Sequence, residues 1–259
     1  MNRRPHRRPS VSAPSAVAAE DAAFVRGLLI HQDKAVLAFD KPSGLAVQGG
    51  SGVARSLDGL LAAFADRGGN RPKLVHRLDR ETSGVIVAAR TRSAAAHLSA
   101  SFAARTAEKT YLAIVCGAPA EAEGCIEIPL KKSKSAAGHD IMVAGEAPDA
   151  LPSETPWRLV APRPEAALLV LTPRTGRLHQ LRAHLAAIGL PIAGDAKYGG
   201  LHALAGAPVP RLMLHALRLV AAHPAGGTLD LTAPPPGDFT ALAETLFGPA
   251  VLSNAAGPA

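Results

Sequence analysis

The apolar residues of this 259-residue chain are parcelled into short runs, and each run is bounded by residues that turn the backbone. Residues 35–39 end at Asp40-Lys41-Pro42-Ser43-Gly44, residues 85–89 follow Gly84, and residues 166–171 lead to Pro173 and Gly176. Runs this short suit strands, and they fall far below the roughly 20 apolar residues of a membrane-spanning helix. Residues 74–75, 111–115, 212–220 and 228–231 add strand candidates, the last two forming a hairpin around Gly226-Gly227. Helical spacing shows in fewer places. Leu57, Leu60, Leu61 and Phe64 mark one face of residues 56–64, Leu98 and Phe102 lie in a helix that Ser93 can cap, and residues 239–246 form a last short helix after Pro234 to Pro236. Strands outnumber helices without alternating strictly with them. The expected fold class is therefore α+β, a mixed and largely antiparallel sheet flanked by helices and loops.

A hydrophobic fraction of 47% can fill a sizeable core. Residues 1–24 are expected to be a disordered basic tail, because Arg3, Arg4, Arg7 and Arg8 precede Ser, Pro and Ala without the apolar stretch of a secretory signal. Residues 25–248 are expected to be one domain and residues 249–259 a second disordered tail. Lys131, Lys132 and Lys134 open a Gly-, Pro- and Asp-rich region that reads as a loop or flap ending near Pro156. Cys116 and Cys125 are the only cysteines and form no C-x-x-C, which indicates neither a disulfide framework nor a cysteine zinc site and fits a reducing cytoplasm. Lys and Arg exceed Asp and Glu by 28 to 21, a formal +7 that favours polyanionic partners. Aromatics at 3% argue against a single-strand binder built from stacking platforms.

Two stretches carry chemistry. His76-Arg77-Leu78-Asp79-Arg80-Glu81-Thr82-Ser83-Gly84 packs charged side chains between two apolar strand pieces. Alone, it could be a surface turn in which Thr82 and Ser83 bond their own backbone. The second stretch, Thr175-Gly176-Arg177-Leu178-His179-Gln180-Leu181-Arg182-Ala183-His184-Leu185, predicts a helix whose inner face is Leu178, Leu181, Leu185 and Ile188. Arg182 shares that face, and a buried guanidinium needs a carboxylate partner, since a stranded charge costs several kcal/mol. His179 and His184 are five apart and point about 140° away from each other on an ideal helix, so they do not form a metal pair. Gly49-Gly50-Ser51-Gly52 lacks the Lys-Ser/Thr ending of a phosphate loop and reads as a flexible turn.

Taken in order, these stretches resemble the RluA-type pseudouridine synthase family from about Asp40 to Pro224. The resemblance rests on Asp40-Lys41-Pro42-Ser43-Gly44-Leu45, His76-Arg77-Leu78-Asp79, Thr82-Ser83-Gly84, Lys109-Thr110-Tyr111, Thr175-Gly176-Arg177 and His179-Gln180-Leu181-Arg182. Gly194-Asp195, Tyr198-Gly199 and Leu214-His215-Ala216 complete it. It implies a cleft across the sheet in which Asp79 is the catalytic carboxylate, Arg182 its ion-pair partner and Tyr111 the residue against the target base. Isomerisation breaks the ribose C1′ bond to uracil N1 and remakes it to C5, which a carboxylate promotes by attacking C1′ or by removing a C2′ proton. Both routes need an ionised carboxylate, and a neighbouring guanidinium favours that form. The target nucleotide must be everted. The resemblance places Arg77 in the gap left behind and Leu214 beneath the base. Lys41, His76, Lys131, Lys132, Lys134, Arg174, Arg177 and His179 are the further candidates for RNA contacts.

Leu178 stands where family members often have threonine, and Leu190 where histidine is frequent. The segment Gly44-Leu45-Ala46-Val47-Gln48-Gly49-Gly50 is most similar to the large-subunit ribosomal RNA branch, whereas residues 1–24 are too few for the small RNA-binding domain many relatives carry. The expected activity is thus isomerisation of uridine in structured RNA by a monomer without cofactor or metal. Ribosomal RNA is the first expectation, with transfer RNA or a non-catalytic RNA-binding module as alternatives.

Overall fold

A computed structural model describes residues 17–50, 53–135, 138 and 140–254. The chain opens with α1 (Ala19–Gly27), β1 (Leu29–Gln32) and β2 (Val36–Lys41), then a short helix α2 (Leu57–Leu60) that tightens into a 3-10 turn at Leu61–Phe64. Next come β3 (Lys73–Leu74), β4 (Ser83–Ala89), α3 (Arg92–Ala103), β5 (Glu108–Cys116), β6 (Glu123–Ile126), β7 (Leu130–Lys134) and β8 (Asp140–Ala144). After these follow β9 (Thr155–Arg163), β10 (Ala166–Leu171), α4 (Gln180–Ala187), β11 (Ala203–Leu204) and β12 (Ala207–Pro208). The chain closes with β13 (Leu214–Ala222), β14 (Thr228–Thr232), α5 (Gly237–Phe247) and a 3-10 turn at Val251–Asn254.

Ten strands form one sheet in the order β1-β2-β4-β13-β5-β10-β9-β6, with β14 beside β13 and β3 beside β4. Every named pairing is antiparallel except β4 with β13, where His215 lies opposite Ser83 and Ala216 opposite Gly84. The α+β expectation holds. Strand alternation explains the unbroken apolar runs Val36 to Phe39 of β2 and Val85 to Ala89 of β4: Leu37, Phe39, Ile86 and Ala88 pack under α1 and α2, while Val36, Ala38, Val85, Val87 and Ala89 face α3 and β14. A third cluster joins β5 and β10 to α4 and α5 through Leu112, Ile114, Leu168, Leu185 and Phe239. No helix among the described residues is long and apolar enough to cross a membrane.

Several expectations need correction. Residues 19–24, assigned to the tail, belong to α1, whose Val25 is buried in the cluster with Leu37, Phe39, Ile86 and Ala88. Residues 1–16 of that tail, residues 255–259 and Ser51-Gly52 lie outside the described residues, whereas Val251–Asn254, assigned to the second tail, form a 3-10 turn with Val251 buried. Thr91 rather than Ser93 caps α3, its hydroxyl accepting from the Ala94 N–H at 3.1 Å. Lys131, Lys132 and Lys134 lie on the β7–β8 hairpin rather than in a loop. The second motif turns helical only at Gln180, so Leu178 precedes the helix and Ile188, its C-cap, is 39% exposed.

Candidate active site

The charged loop of residues 75–82 leads from β3 into β4, and the turn after β2 grips it. Gly44 N–H donates to Arg80 O at 2.9 Å, Arg80 Nε returns a bond to Gly44 O at 3.0 Å, and Ser43 Oγ donates to Glu81 O at 2.7 Å. Lys41 completes the clasp. Its ammonium is fully buried and donates to the carbonyls of Pro42, Leu45 and Arg80 at 2.9, 2.9 and 3.0 Å. Burial pushes its pKa down to about 8, with the charges of Glu81 and Asp79 opposing the shift. An RNA-backbone contact for Lys41 is therefore a correction: three carbonyls hold its head group inside the protein. Close approach of β13 fixes the other end of the loop, because a Cβ on Gly84 would lie 2.1 Å from Ala216 O.

Over this loop lies a cleft of about 440 Å³. It brings together Asp79, Tyr111, Arg182, Arg77, His76, Arg174, Arg177, His179 and Leu214, drawn from the loop before β4, from β5, from α4 with its preceding turn, and from the start of β13. Lys131, Lys132 and Lys134 are not among its walls; they are exposed on their hairpin and paired with Asp149 and Asp140. Asp79 reaches the cleft with its side chain 17% exposed.

Arg182 is the inward guanidinium that the helix spacing required, and it has two carboxylates. Its Nε and Nη2 donate to Asp195 Oδ2 and Oδ1, each at 2.7 Å, and Nη1 reaches Asp79 Oδ2 at 3.3 Å. Asp195 is sealed from solvent and also accepts the Lys197 and Tyr198 amides at 3.0 and 3.3 Å. Burial alone would make Arg182 easier to deprotonate, but the two carboxylates outweigh it and keep the guanidinium charged. Tyr111 lies within electrostatic reach of Asp79. Burial, reinforced by that charge, raises its phenol well above the usual value, so it enters the site as a neutral hydroxyl.

The expected RNA contacts differ in how free they are. His76 stacks on Phe102 with ring centroids 4.4 Å apart and accepts the Val87 N–H through Nε2 at 3.0 Å. Burial lowers its pKa to about 3, so the ring is neutral and serves the strand as well as the cleft wall. Arg174 pairs with Glu154. Gln180 builds the turn before α4: its Oε1 accepts from Thr175 Oγ1 at 2.8 Å and Arg177 N–H at 3.0 Å, and its Nε2 donates to Glu154 O at 3.0 Å. Neither histidine of the second motif is on the surface. His184 is fully buried between Thr155 Oγ1 and Ile128 O at 2.9 and 2.8 Å, and the His179 side chain is 9% exposed beside Asp79.

Arg105 and Lys109 line the cleft without having been singled out as site residues, and Asp195 and Tyr198 stand behind it. Lys109, Asp195 and Tyr198 lie in the strings that carry the family resemblance, so their presence was legible although their partners were not. Arg105 carried no such signal; it adopts φ 61° in the turn between α3 and β5. Outside the cleft, Cys125, Glu127 and Glu154 place three ligand-type atoms within 4.8 Å of one another. Burial and the two carboxylates push the Cys125 thiol up, and Glu154 is already paired with Arg174, so the cluster does not read as a metal centre.

Residues 35–187 match the family described as RNA pseudouridylate synthase. The ribosomal large subunit pseudouridine synthase C of Vibrio vulnificus (strain CMCP6) is 36% identical over 211 residues, covering 78% of this chain and 64% of that protein. The dual-specificity RNA pseudouridine synthase RluA of Salmonella typhi is 37% identical over 225 residues, 82% of this chain and 94% of that one. This chain thus spans about two thirds of the length of the first and nearly all of the second. Among solved structures, human RNA pseudouridylate synthase domain containing 4 is similar with a TM-score of 0.73 and 28% identity, over 88% of this chain and 97% of that one.

Proposed function

The chain belongs to the RNA pseudouridylate synthase family, and on that premise we propose that it isomerises uridine to pseudouridine in ribosomal RNA, with Asp79 acting on the ribose. The observation that carries this reading is the Asp79 carboxylate in a cleft, 3.3 Å from a buried guanidinium and beside Tyr111. A cleft of about 440 Å³ falls within the range of about 300–1,000 Å³ typical of small-ligand sites, room for one everted nucleoside and not for a duplex. Asp79 meets the sugar as nucleophile at C1′ or base at C2′. Arg182 holds it ionised once RNA excludes water, Tyr111 packs its neutral ring on the uracil, and Leu214 packs beneath it.

Arg77, Arg105, Lys109, Arg174 and Arg177 supply the positive walls that position the RNA backbone, with Arg77 at the rim for the vacated place in the stack. The names of the relatives support ribosomal RNA as substrate, and the dual-specificity relative makes a second RNA class the natural extension. We place the catalytic unit at residues 19–254, wider than 25–248, because Val25 and Val251 are both buried in the core clusters. The unpaired cysteines Cys116 and Cys125 support a reducing compartment such as the cytoplasm, and a monomer suffices for the site as described. Asp79→Asn should abolish pseudouridine formation while RNA binding stays within a few-fold. Comparing pseudouridine maps of total RNA from cells with and without the gene identifies the target, and near-normal turnover by the variant would remove Asp79 from its role.

A further inference from the structure

His179 sits in a left-handed backbone conformation, φ 48° and ψ 21°, directly before α4. A non-glycine residue is held in this region at a cost of about 1 kcal/mol or more, and such positions cluster where a side chain must be aimed. Here the ring is aimed into the protein. Nε2 lies 3.9 Å from Asp79 Oδ1, while Arg182 addresses the other oxygen, Oδ2. On the far side of the ring, Nδ1 is 3.1 Å from the Tyr198 hydroxyl, and that hydroxyl accepts the N–H of Met142 in β8 at 2.8 Å.

These contacts favour one tautomer. The Met142 amide can only donate, so the phenol oxygen is its acceptor, and the phenol has one proton of its own to give. Among the described residues, His179 Nδ1 is the acceptor for that proton. The ring proton then belongs on Nε2, the nitrogen that faces Asp79. Burial keeps the imidazole neutral, lowering its pKa against the pull of Asp79, with Arg182 and Lys197 adding to the shift and Asp195 opposing it. Burial likewise raises the Tyr198 phenol, so its proton stays available. The guanidinium of Arg182 lies over the Tyr198 ring at 5.2 Å, which keeps the phenol in place from below.

We propose that His179 is a positioning residue whose Nε2–H orients Asp79 Oδ1, and that Tyr198 sets its tautomer from the backbone of the β7–β8 hairpin. A distance of 3.9 Å is long for a hydrogen bond in the free protein, and such contacts shorten when substrate closes the site. The same chain links the hairpin carrying Lys131, Lys132 and Lys134 to the carboxylate, so undocking the hairpin removes the acceptor-side constraint on the ring. This inference rests on the pseudouridine synthase reading of the site.

Its test uses three variants and two readouts. His179→Asn keeps a side chain that tolerates the left-handed backbone but falls short of Asp79, His179→Gln restores a donor near the position of Nε2, and Tyr198→Phe removes only the hydroxyl. In single-turnover assays at saturating RNA, His179→Asn should slow uridine isomerisation about 10- to 100-fold with RNA Kd within about twofold, and His179→Gln should recover most of the loss. Independently of turnover, nitrogen NMR of the full-length protein should show the Nε2–H tautomer at His179 in wild type and a mixture in Tyr198→Phe. An Nδ1–H tautomer in wild type overturns the proposal. So does a normal rate in His179→Asn, a rate loss matched by lost RNA affinity, or a Gln variant no better than Asn. If wild-type protein modifies no uridine in any RNA, the functional reading fails while the tautomer measurement still decides the geometry.

Discussion

Arg182 can remain charged in a nearly dry place because Asp195 accepts two of its N–H groups, which leaves Nη1 for Asp79. The geometry divides the labour: Asp195 fixes the plane and position of the guanidinium, and Asp79 meets only its third donor. Asp195→Asn should therefore let Arg182 swing away from the cleft. Breaking one partner of a buried pair costs about 3–5 kcal/mol, so a clear drop in melting temperature should accompany a fall in single-turnover rate of at least about 100-fold. RNA binding should change little, since Asp195 is sealed from solvent. A variant that keeps the wild-type rate would show that Asp79 and not Asp195 anchors the arginine. Gly84 makes a second sharp case at this scale. With φ 109° and a Cβ that would sit 2.1 Å from Ala216 O, Gly84→Ala must part β4 from β13 at the end of the loop that carries Asp79. Poor folding of this variant is expected, read as loss of the cooperative thermal transition, and a soluble, normally melting protein would contradict the close approach.

One carboxylate ties the β1–β2 hairpin to the β13–β14 hairpin. Asp33, in the turn between β1 and β2, accepts from the Ala35 and Val36 amides at 2.6 and 2.7 Å and lies 2.8 Å from His31 Nε2 and 2.9 Å from His223 Nε2, just after β13. Burial would raise its pKa, but the bonds from His31, the two amides and His223 outweigh burial and hold the carboxyl well below the ordinary range. A group whose folded pKa is depressed stabilises above its unfolded pKa, about 3.9, and loses that contribution as pH falls below it. The gap in melting temperature between wild type and Asp33→Asn should thus be full at pH 6 and shrink below pH 4; a gap that widens on acidification would refute the assignment. This tie also shows where sequence reading stops. The strands at residues 35–39, 85–89 and 166–171, and the β13–β14 hairpin, were legible because alternation and turn residues are local signals. Contacts between residues 33 and 223, or 182 and 195, are set by tertiary packing and leave no local pattern. The β7–β8 hairpin was misread as a loop because Lys131, Lys132 and Lys134 suppress the apolar signal of an exposed two-stranded ribbon. In the site, Asp79, Tyr111 and Arg182 were legible through strings that resemble a family, whereas Lys41 misled: a lysine in a turn reads as surface until three carbonyls are seen around it.

At the scale of the whole molecule, a formal charge of +7 does not say where RNA would bind; the distribution of unpaired cations does. Several basic side chains away from the cleft are compensated by a neighbouring carboxylate. Lys131 pairs with Asp149, Lys132 and Lys134 with Asp140, Arg218 with Asp230 and Arg211 with Asp238. Arg77 and Arg177, on the cleft, have no carboxylate partner among the described residues, and Arg177 contacts only the Pro152 carbonyl with its Nη2 at 3.4 Å. A cation already neutralised by a neighbouring carboxylate releases fewer counterions on meeting a phosphate, because part of its field is spent locally. Removing Arg77 or Arg177 should therefore flatten the slope of log affinity against log salt by about 0.7–0.9 each, uniformly across RNA sequences. Replacing Lys131, Lys132 and Lys134 together with Gln should flatten it by less than that per residue, since Asp140 and Asp149 lose their partners in the same step. Binding isotherms over a salt series measure both slopes. Equal per-residue effects would mean that the hairpin sheds its aspartates to grip the backbone directly, which would place the RNA path across β7 and β8 as well as along the cleft.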